Sequence, residues 1–590
     1  MVSDSKSIVA TPRNGPANIL DVLCFWNKTL AVASVALLGT KAVNIAIAAT
    51  LTVTTSVDNG AGSLRQAIQQ AASGDTINFS VTGTITLTNE LLISSDLTIA
   101  GPGINQLSLD GNGSARIFEI ASNAIVAIAQ LTITNGLVHG TDAYSSPDYD
   151  GKPAFGGAVF NAGGLTMSNC NIVGNSCLGG SSYIPSSGAN GGNGDGGAIW
   201  NSGTLKLFDC TFSNNLARGG SGAAGSGYFG PTFPGGVGGE GAGGAIYNAG
   251  AISANNCTFF ENRVVGGPGG GAGASAGNRF APGGAGGAGG GGTIAHVGAS
   301  TLRITNCTFN ANSAQGGEGG PGFANNRGGY GGNGSGGNLL VNYGTARCVN
   351  LTVWRNSVIA GAGGTGGYRY PTDPVCPNCP YDPVPGSASG GGIHNQAAAE
   401  LRNTVLANYG SDFAGTVASQ GGNLVSITNG SSGWLVNDLK GGAATPLDPK
   451  LGPLTNNGGL TLTVALLPGS PAIDTGTSSD LTTDQRGRLR PVDNPAIVNA
   501  AGGDGTDIGA FELQSQPTTL ALRQMASSNL SIRFLTEVGQ KYRLERKDSL
   551  AAGPWSTLAD NIDGTGEVVE TIDPVGILQP SRFYRVLSGP

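Results

Sequence analysis

Charge is scarce in this chain, and aromatic residues, histidine and methionine are scarcer still. Only 11% of the 590 residues are charged and 6% are aromatic, with His 3 and Met 3; ordinary globular chains carry about a quarter charged residues. Lys plus Arg total 30 against 37 Asp plus Glu, for a net charge of −7. No basic surplus exists to neutralise a phosphate backbone, which excludes nucleic acid as a main partner. Global disorder is argued against by 39% hydrophobic residues at so low a net charge. Collagen is excluded because no strict Gly-X-Y period runs through the chain. What is abundant is glycine, 103 residues, well over twice ordinary usage. The length exceeds one compact domain, so two or three folding units are expected.

Lys28, the apolar stretch Leu30 to Leu38 and the small-residue run Ala46-Ile47-Ala48-Ala49 form a charged lead, apolar core and A-x-A pattern. This predicts a secretory signal over 1–49 and a secreted or surface location. Lys41 interrupts the apolar run before the ~20 residues of a membrane span. After cleavage the chain is therefore expected not to be an integral membrane protein.

An internal repeat governs the middle of the chain. Gly156-Gly-Ala-Val-Phe-Asn161, Gly196-Gly-Ala-Ile-Trp-Asn201 and Gly243-Gly-Ala-Ile-Tyr-Asn248 share one pattern, with degraded copies at Gly291, Gly336 and Gly390. One aligned slot holds Val159, Ile199, Ile246, Ile294, Leu339 and Ile393; another holds Ile172, Phe212, Phe259, Phe309 and Val353. Both lie in runs with the period-2 alternation of strands. Stacked windings would place matching slots ~4.8 Å apart, giving a right-handed, single-stranded parallel β-helix over 50–410.

Asn161, Asn201, Asn248 and Asn395 share a slot beside a turn, where stacked amides can bond along the axis and αL geometry is tolerated. Asn175, Asn215, Asn262, Asn312, Asn356 and Asn408 form another series. Cys170, Cys210, Cys257 and Cys307 share a slot that elsewhere holds Leu131 and Leu351, so buried free thiols are expected there. Parallel Cβ vectors would also suit a disulfide poorly. Cys376 and Cys379, in a Pro-rich C-x-x-C, are the candidate disulfide.

Variable Gly-rich insertions, such as Gly219 to Glu240 and Gly266 to Gly290, enter at one point of each winding and so lie on one flank. Two conformations are compatible with them: flexible flaps, or polyproline-II-like strands packed where no side chain fits. Ser63-Leu-Arg-Gln66 is a capping-box pattern for a helix covering the N-terminal core, with Gly74 as its stop. The region 411–513 is expected to hold the last windings and a cap, 514–519 a linker, and 520–590 a small β-sandwich.

The Gly-Gly-Ala-Val/Ile starts and the F-x-x-N tetrapeptides ending at Asn215, Asn262 and Asn312 resemble polymorphic outer membrane protein repeats. Gly452 to Gly459, Pro468 to Asp474, Asp484-Gln-Arg-Gly487 and Asp507 to Glu512 are similar to the choice-of-anchor Q domain. Together these resemblances imply a bacterial surface β-helix implicated in adhesion. They also imply a C-terminal cap that precedes varied sorting or anchoring modules.

Candidate sites are few. Asp142, Asp148 and Asp150 offer hard oxygen donors on one insertion, which makes Ca²⁺ the one cofactor considered. Asp474, Asp484 and Asp507 read as turn residues. His394 falls in the slot of Phe160, Trp200 and Tyr247, and is expected to extend an aromatic stack; His296 falls in the Asn slot. Trp555 and Tyr542 are stacking or core groups of the terminal module. The expected function is non-enzymatic adhesion or cell-envelope interaction through the insertions, with an extracellular glycan or cell-surface component as partner. A polysaccharide lyase or glycoside hydrolase of the pectin-lyase-like fold is the alternative.

Overall fold

The computed structural model describes residues 48–145, 148–184, 188–225, 233–273, 281–323, 327–366, 383–478, 480–494, 497–514, 520–525, 529–536, 541–549, 553–565, 568–574 and 581–588. The expected signal segment up to Ile47, Cys376, Cys379 and most of the expected linker lie outside the described residues.

Short strands with one apolar face cannot bury it alone, and here each does so by lying on the winding before it. Val159, Ile199, Ile246, Ile294, Leu339 and Ile393 are successive parallel neighbours. Ile172, Phe212, Phe259, Phe309 and Val353 form a second buried file, with the three phenyl rings stacked 5.0 and 4.8 Å apart. The fold is a parallel β-helix, 42% strand and 1% helix, walled by sheets of 20 and 10 strands. Parallel pairing persists to Leu439–Lys440, so the last windings do extend past 411. The capping helix covers Leu64–Gln70 and buries Leu64 and Ala67. It stops at Ala71, before Gly74, whose N–H bonds to Asp96 O instead.

The bends are made by residues other than the expected ones. Asn169, Asp209, Asn256, Asn306, Asn350 and Asn403 hold φ between 48° and 55°, in a row just before the cysteine slot. Asn161, Asn201 and Asn248 are not in this left-handed region and act through their side chains. The Asn161 Nδ2 donates to Asn201 Oδ1 and Asn201 Nδ2 to Asn248 Oδ1, both at 2.6 Å. Next, Asn248 Nδ2 donates to His296 Nδ1 at 2.9 Å, and His296 passes the series to Ser300 O. Val341 then interrupts the row, so Asn395 donates to Thr416 O.

The second Asn series is unbroken. From Asn175 through Asn408 each Nδ2 donates to the next Oδ1 at 2.8 to 3.0 Å. Each Oδ1 from Asn215 onward also accepts the backbone N–H of the Asn below, and Asp412 terminates the series.

The described limbs of the Gly-rich insertions pack in register with one another, with a three-residue period. Most outgoing limbs read Gly-Gly-X, as in Gly219-Gly220-Ser221 and Gly266-Gly267-Pro268, and most returning limbs repeat it, as in Gly238-Gly239-Glu240; only the second Gly is kept in Ala360-Gly361-Ala362 and Pro385-Gly386-Ser387. The first Gly donates to the same limb of the next winding: Gly219 to Val265 O, Gly266 to Gln315 O. The second donates across to the opposite limb. One such chain of bonds runs Gly386, Gly361, Gly332, Gly317, Gly287, Gly267, Gly239, Gly220, Gly192, at 2.8 to 3.0 Å. Three residues per turn is the polyproline-II repeat. A Cβ on Gly220 would lie 2.0 Å from Gly180 O, on Gly267 1.9 Å from Gly220 O, and on Gly238 1.9 Å from Gly267 O. Of the two conformations the sequence allowed, the packed one is present.

The last segment of the solenoid region returns along its flank. The Gln485 amide meets Thr258 and Thr308, Asn306 meets Thr483 O, and Thr352 Oγ1 accepts from Ala510 N. Of the carboxylates expected at turns, Asp484 does serve one, accepting from Arg486 N and Arg488 N, whereas Asp507 accepts from Asp474 N and Leu513 N and Asp474 from Asn494 N, tying together segments distant in sequence. Arg490 and Glu512 pair at 2.8 Å, both fully buried. Beyond it, two three-stranded antiparallel sheets form the terminal module, with Phe534 and Tyr542 packed 5.9 Å apart in its core.

Two stability outcomes are expected. Gly267→Ala should cost about 2 kcal/mol, within the range for overpacking, while Pro268→Ala at the adjoining X position should cost under about 0.5 kcal/mol; thermal and urea unfolding compare them. Asn262→Ala should cost about 2–4 kcal/mol in urea unfolding, because it strips the acceptor from two buried donors of Asn215.

Candidate functional site

Two features of the molecule carry chemistry outward. The first is the exterior of the glycine bundle. Because both Gly positions face other backbones, only X residues and limb ends project. Tyr144, Tyr149, Tyr183, Phe233, Phe323 and Tyr330 are all exposed there. Tyr144 and Tyr183 stack 5.1 Å apart and are 71% and 55% exposed. The Arg327 guanidinium lies 4.6 Å over the Tyr330 ring.

In several triplets the third N–H is satisfied by a side chain of the preceding winding. Asn190 Oδ1 accepts from Val237 N, Asn193 Oδ1 from Glu240 N, and Ser181 Oγ from Ser221 N. At the foot of the bundle the acceptors are carboxylates: Asp142 takes Ser181 N and Asp150 takes Asn190 N, both at 2.7 Å. Asp148 instead pairs with Lys152 at 2.8 Å. Two of the three proposed Ca²⁺ ligands therefore begin the hydrogen-bonded rows of the two limbs. Among the described residues no group of three or more His, Cys, Asp or Glu is placed to hold a metal.

The second feature is a half-buried aromatic file outside the 10-stranded sheet. Phe160 and Trp200 stack at 4.4 Å, Trp200 and Tyr247 at 6.4 Å. Phe155 tilts against Trp200 at 5.7 Å. Arg116 lies 5.3 Å over Phe160 and is held by Glu90 at 2.6 Å. Beside the file sits Asp195, buried, its carboxyl pushed up to about 7 by burial and then by the charge of Glu240. Burial, with Asp195 and Glu240, also raises the Tyr247 phenol to about 12. This juxtaposition of Asp195, Glu240 and Tyr247 was missed in the sequence, because its members come from different windings and different sheets. The local signal is an Asp in the two-residue strand Gly194–Asp195, at a position that other windings fill with the uncharged Phe155, Ala242, Gly290, Ser335 and Ser389.

Other sequence candidates resolve as structural. Ala295 and Leu340 separate Tyr247 from His394 in its row, so His394 does not extend the aromatic stack. Burial lowers the pKa of His296 and His394. His296 does replace an amide, as its slot implied. Cys170, Cys210, Cys257 and Cys307 are free and buried in one file under Leu351. Burial raises the thiols of Cys210 and Cys257 well above the usual range, which removes them as nucleophiles. Tyr542 is core; Trp555 carries Arg585 at 4.5 Å and Lys547 at 6.0 Å over its ring.

These features define a parallel β-helix whose one flank is a rigid glycine-strand outgrowth bearing exposed aromatic side chains. Comparison with known proteins finds no family model and no curated protein that matches the chain. Among the described residues no helix is long and apolar enough to cross a membrane.

The carboxyls of Asp195 and Asp412 are both pushed up to about 7 by burial. Over that interval the native state keeps protons that the unfolded chain has released, so stability falls as pH rises from about 4 to about 7. Asp195→Asn is expected to raise the melting midpoint at pH 8 and to leave it unchanged at pH 4. Circular-dichroism melts at both pH values check this; equal shifts at both would contradict a buried-charge origin.

Proposed function

We propose that this chain is an exported, surface-associated β-helix protein that binds a cell-envelope or extracellular partner through its insertion flank. The resemblance to polymorphic outer membrane protein repeats and to the choice-of-anchor Q domain supports this reading. So does the apolar lead before Ala48. The observation that carries it is the set of exposed aromatic residues on the glycine bundle, Tyr144, Tyr183, Phe323 and Tyr330 among them. Aromatic side chains held on a preorganised backbone lose little entropy on binding, and such residues dominate contact energies elsewhere. The solenoid core then acts as the ruler that spaces them.

A glycan-cleaving reading draws on Asp195, protonated near neutrality beside the exposed Glu240, since a glycosidase needs one carboxyl able to donate a proton. Turnover of an extracellular polysaccharide, lost in Asp195→Asn, would favour it over binding alone.

Replacing Tyr144, Tyr183, Phe323 and Tyr330 together by Ser should weaken retention on isolated cell envelopes at least tenfold, measured by co-sedimentation, with an unchanged melt. Undiminished retention would overturn the proposal.

A further inference from the structure

One outward-facing row of the 20-stranded sheet is only half covered. In register it runs Thr132, Asn171, Thr211, Thr258, Thr308, Thr352. Thr132 Oγ1 donates to Ile104 O at 2.6 Å. Thr308 Oγ1 donates to Gln485 Oε1 at 2.6 Å, Gln485 Nε2 donates to Thr258 Oγ1 at 2.9 Å, and Thr352 Oγ1 accepts from Ala510 N at 3.0 Å. The two members between, Asn171 and Thr211, have side chains without a hydrogen-bond partner among the described residues. They open into a cleft of about 310 Å³ walled by Ser213, Phe260, Ile104 and, from the returning flank, Leu460. This volume falls at the low end of the roughly 300–1,000 Å³ of small-ligand sites.

The chemistry of the row is set by what its covered half holds, a carboxamide gripped by two hydroxyls of the row, with Thr461 Oγ1 and the Cys257 and Leu462 carbonyls as its further acceptors. None of the cleft's lining residues is charged, so a uronate or phosphate would lose hydration without compensation. The backbone groups of Asn171–Val173 and Thr211–Ser213 are committed to their strand partners, so an extended peptide cannot add to them as a strand. Recognition is left to the amide and hydroxyl side chains, with Phe260 and the 63% exposed Leu460 offering apolar faces to sugar C–H groups. We infer that this cleft binds a neutral, N-acetylated glycan, its acetamide meeting Thr211 and Asn171 as the Gln485 amide meets Thr258 and Thr308. The site lies on the wall sheet and does not depend on the insertion flank.

Calorimetric titration of the full chain with tetraacetylchitotetraose tests the inference, with cellotetraose and a Gln-rich neutral peptide as comparators. Saturable binding of the acetylated tetramer is expected, at least tenfold tighter than cellotetraose. It should weaken at least tenfold in Thr211→Val/Asn171→Leu and, from the opposite wall, in Leu460→Ala, with the melts of both variants unchanged. The inference is overturned by absence of binding, by equal affinity for cellotetraose, by tighter binding of the peptide, or by full affinity in both variants.

Discussion

Successive windings stand one strand spacing apart, about 4.8 Å, and every side chain must therefore tolerate the occupant of its own slot directly above and below. Flat rings meet this condition by stacking, as Phe212, Phe259 and Phe309 do. Carboxamides meet it because each has a donor and an acceptor, so the Asn175 to Asn408 series closes on itself without unsatisfied ends until Asp412 receives it. Charged groups meet it less readily, since like charges at that spacing repel; where Arg347 lies beside Arg303, it also pairs with Glu400 of the next winding at 3.0 Å. The scarcity of charge in the chain follows from this. Where backbones approach without any side chain between them, only glycine remains, and the two adjacent glycines of each Gly-Gly-X triplet mark such approaches.

The glycine bundle turns a loss of side chains into rigidity. Each insertion is too poor in apolar residues to fold alone, and its described limbs are held by bonds to the limbs of neighbouring windings. Its exterior can then vary at X without disturbing the packing, which is why aromatic residues stand exposed on it. The returning flank solves a different problem. It brings an ion pair, Arg490 with Glu512, into full burial and supplies Asp484 and Asp507 with backbone donors, while Gln485 and Thr483 clamp the sheet beneath.

Much of the fold was legible from residue types at matching positions. The Ile, Phe and Cys files, the Asn175 series and the capping helix all follow from local pattern. The aromatic row was legible only in part: Phe160, Trp200 and Tyr247 stack, but His394 does not join them, because Ala295 and Leu340 intervene. Asp142 and Asp150 looked like cation ligands because their spacing says nothing of the amides of Ser181 and Asn190 that claim them. The Gly-Gly-X period was present in the sequence, blurred by Ala and Ser in places, and its meaning depends on limbs that run in opposite directions.

The amino-acid sequence by itself determined the winding: the period of its apolar residues admits burial only against a copy of the same segment one turn away. Tertiary structure alone decided which limb of one insertion lies between the limbs of the next. It also placed Gln485 on Thr258 and Asp195 beside Tyr247. The reason is physical: ladder contacts join equivalent positions and so repeat in the sequence, whereas these contacts join unlike positions across a packed surface, and no periodicity records them.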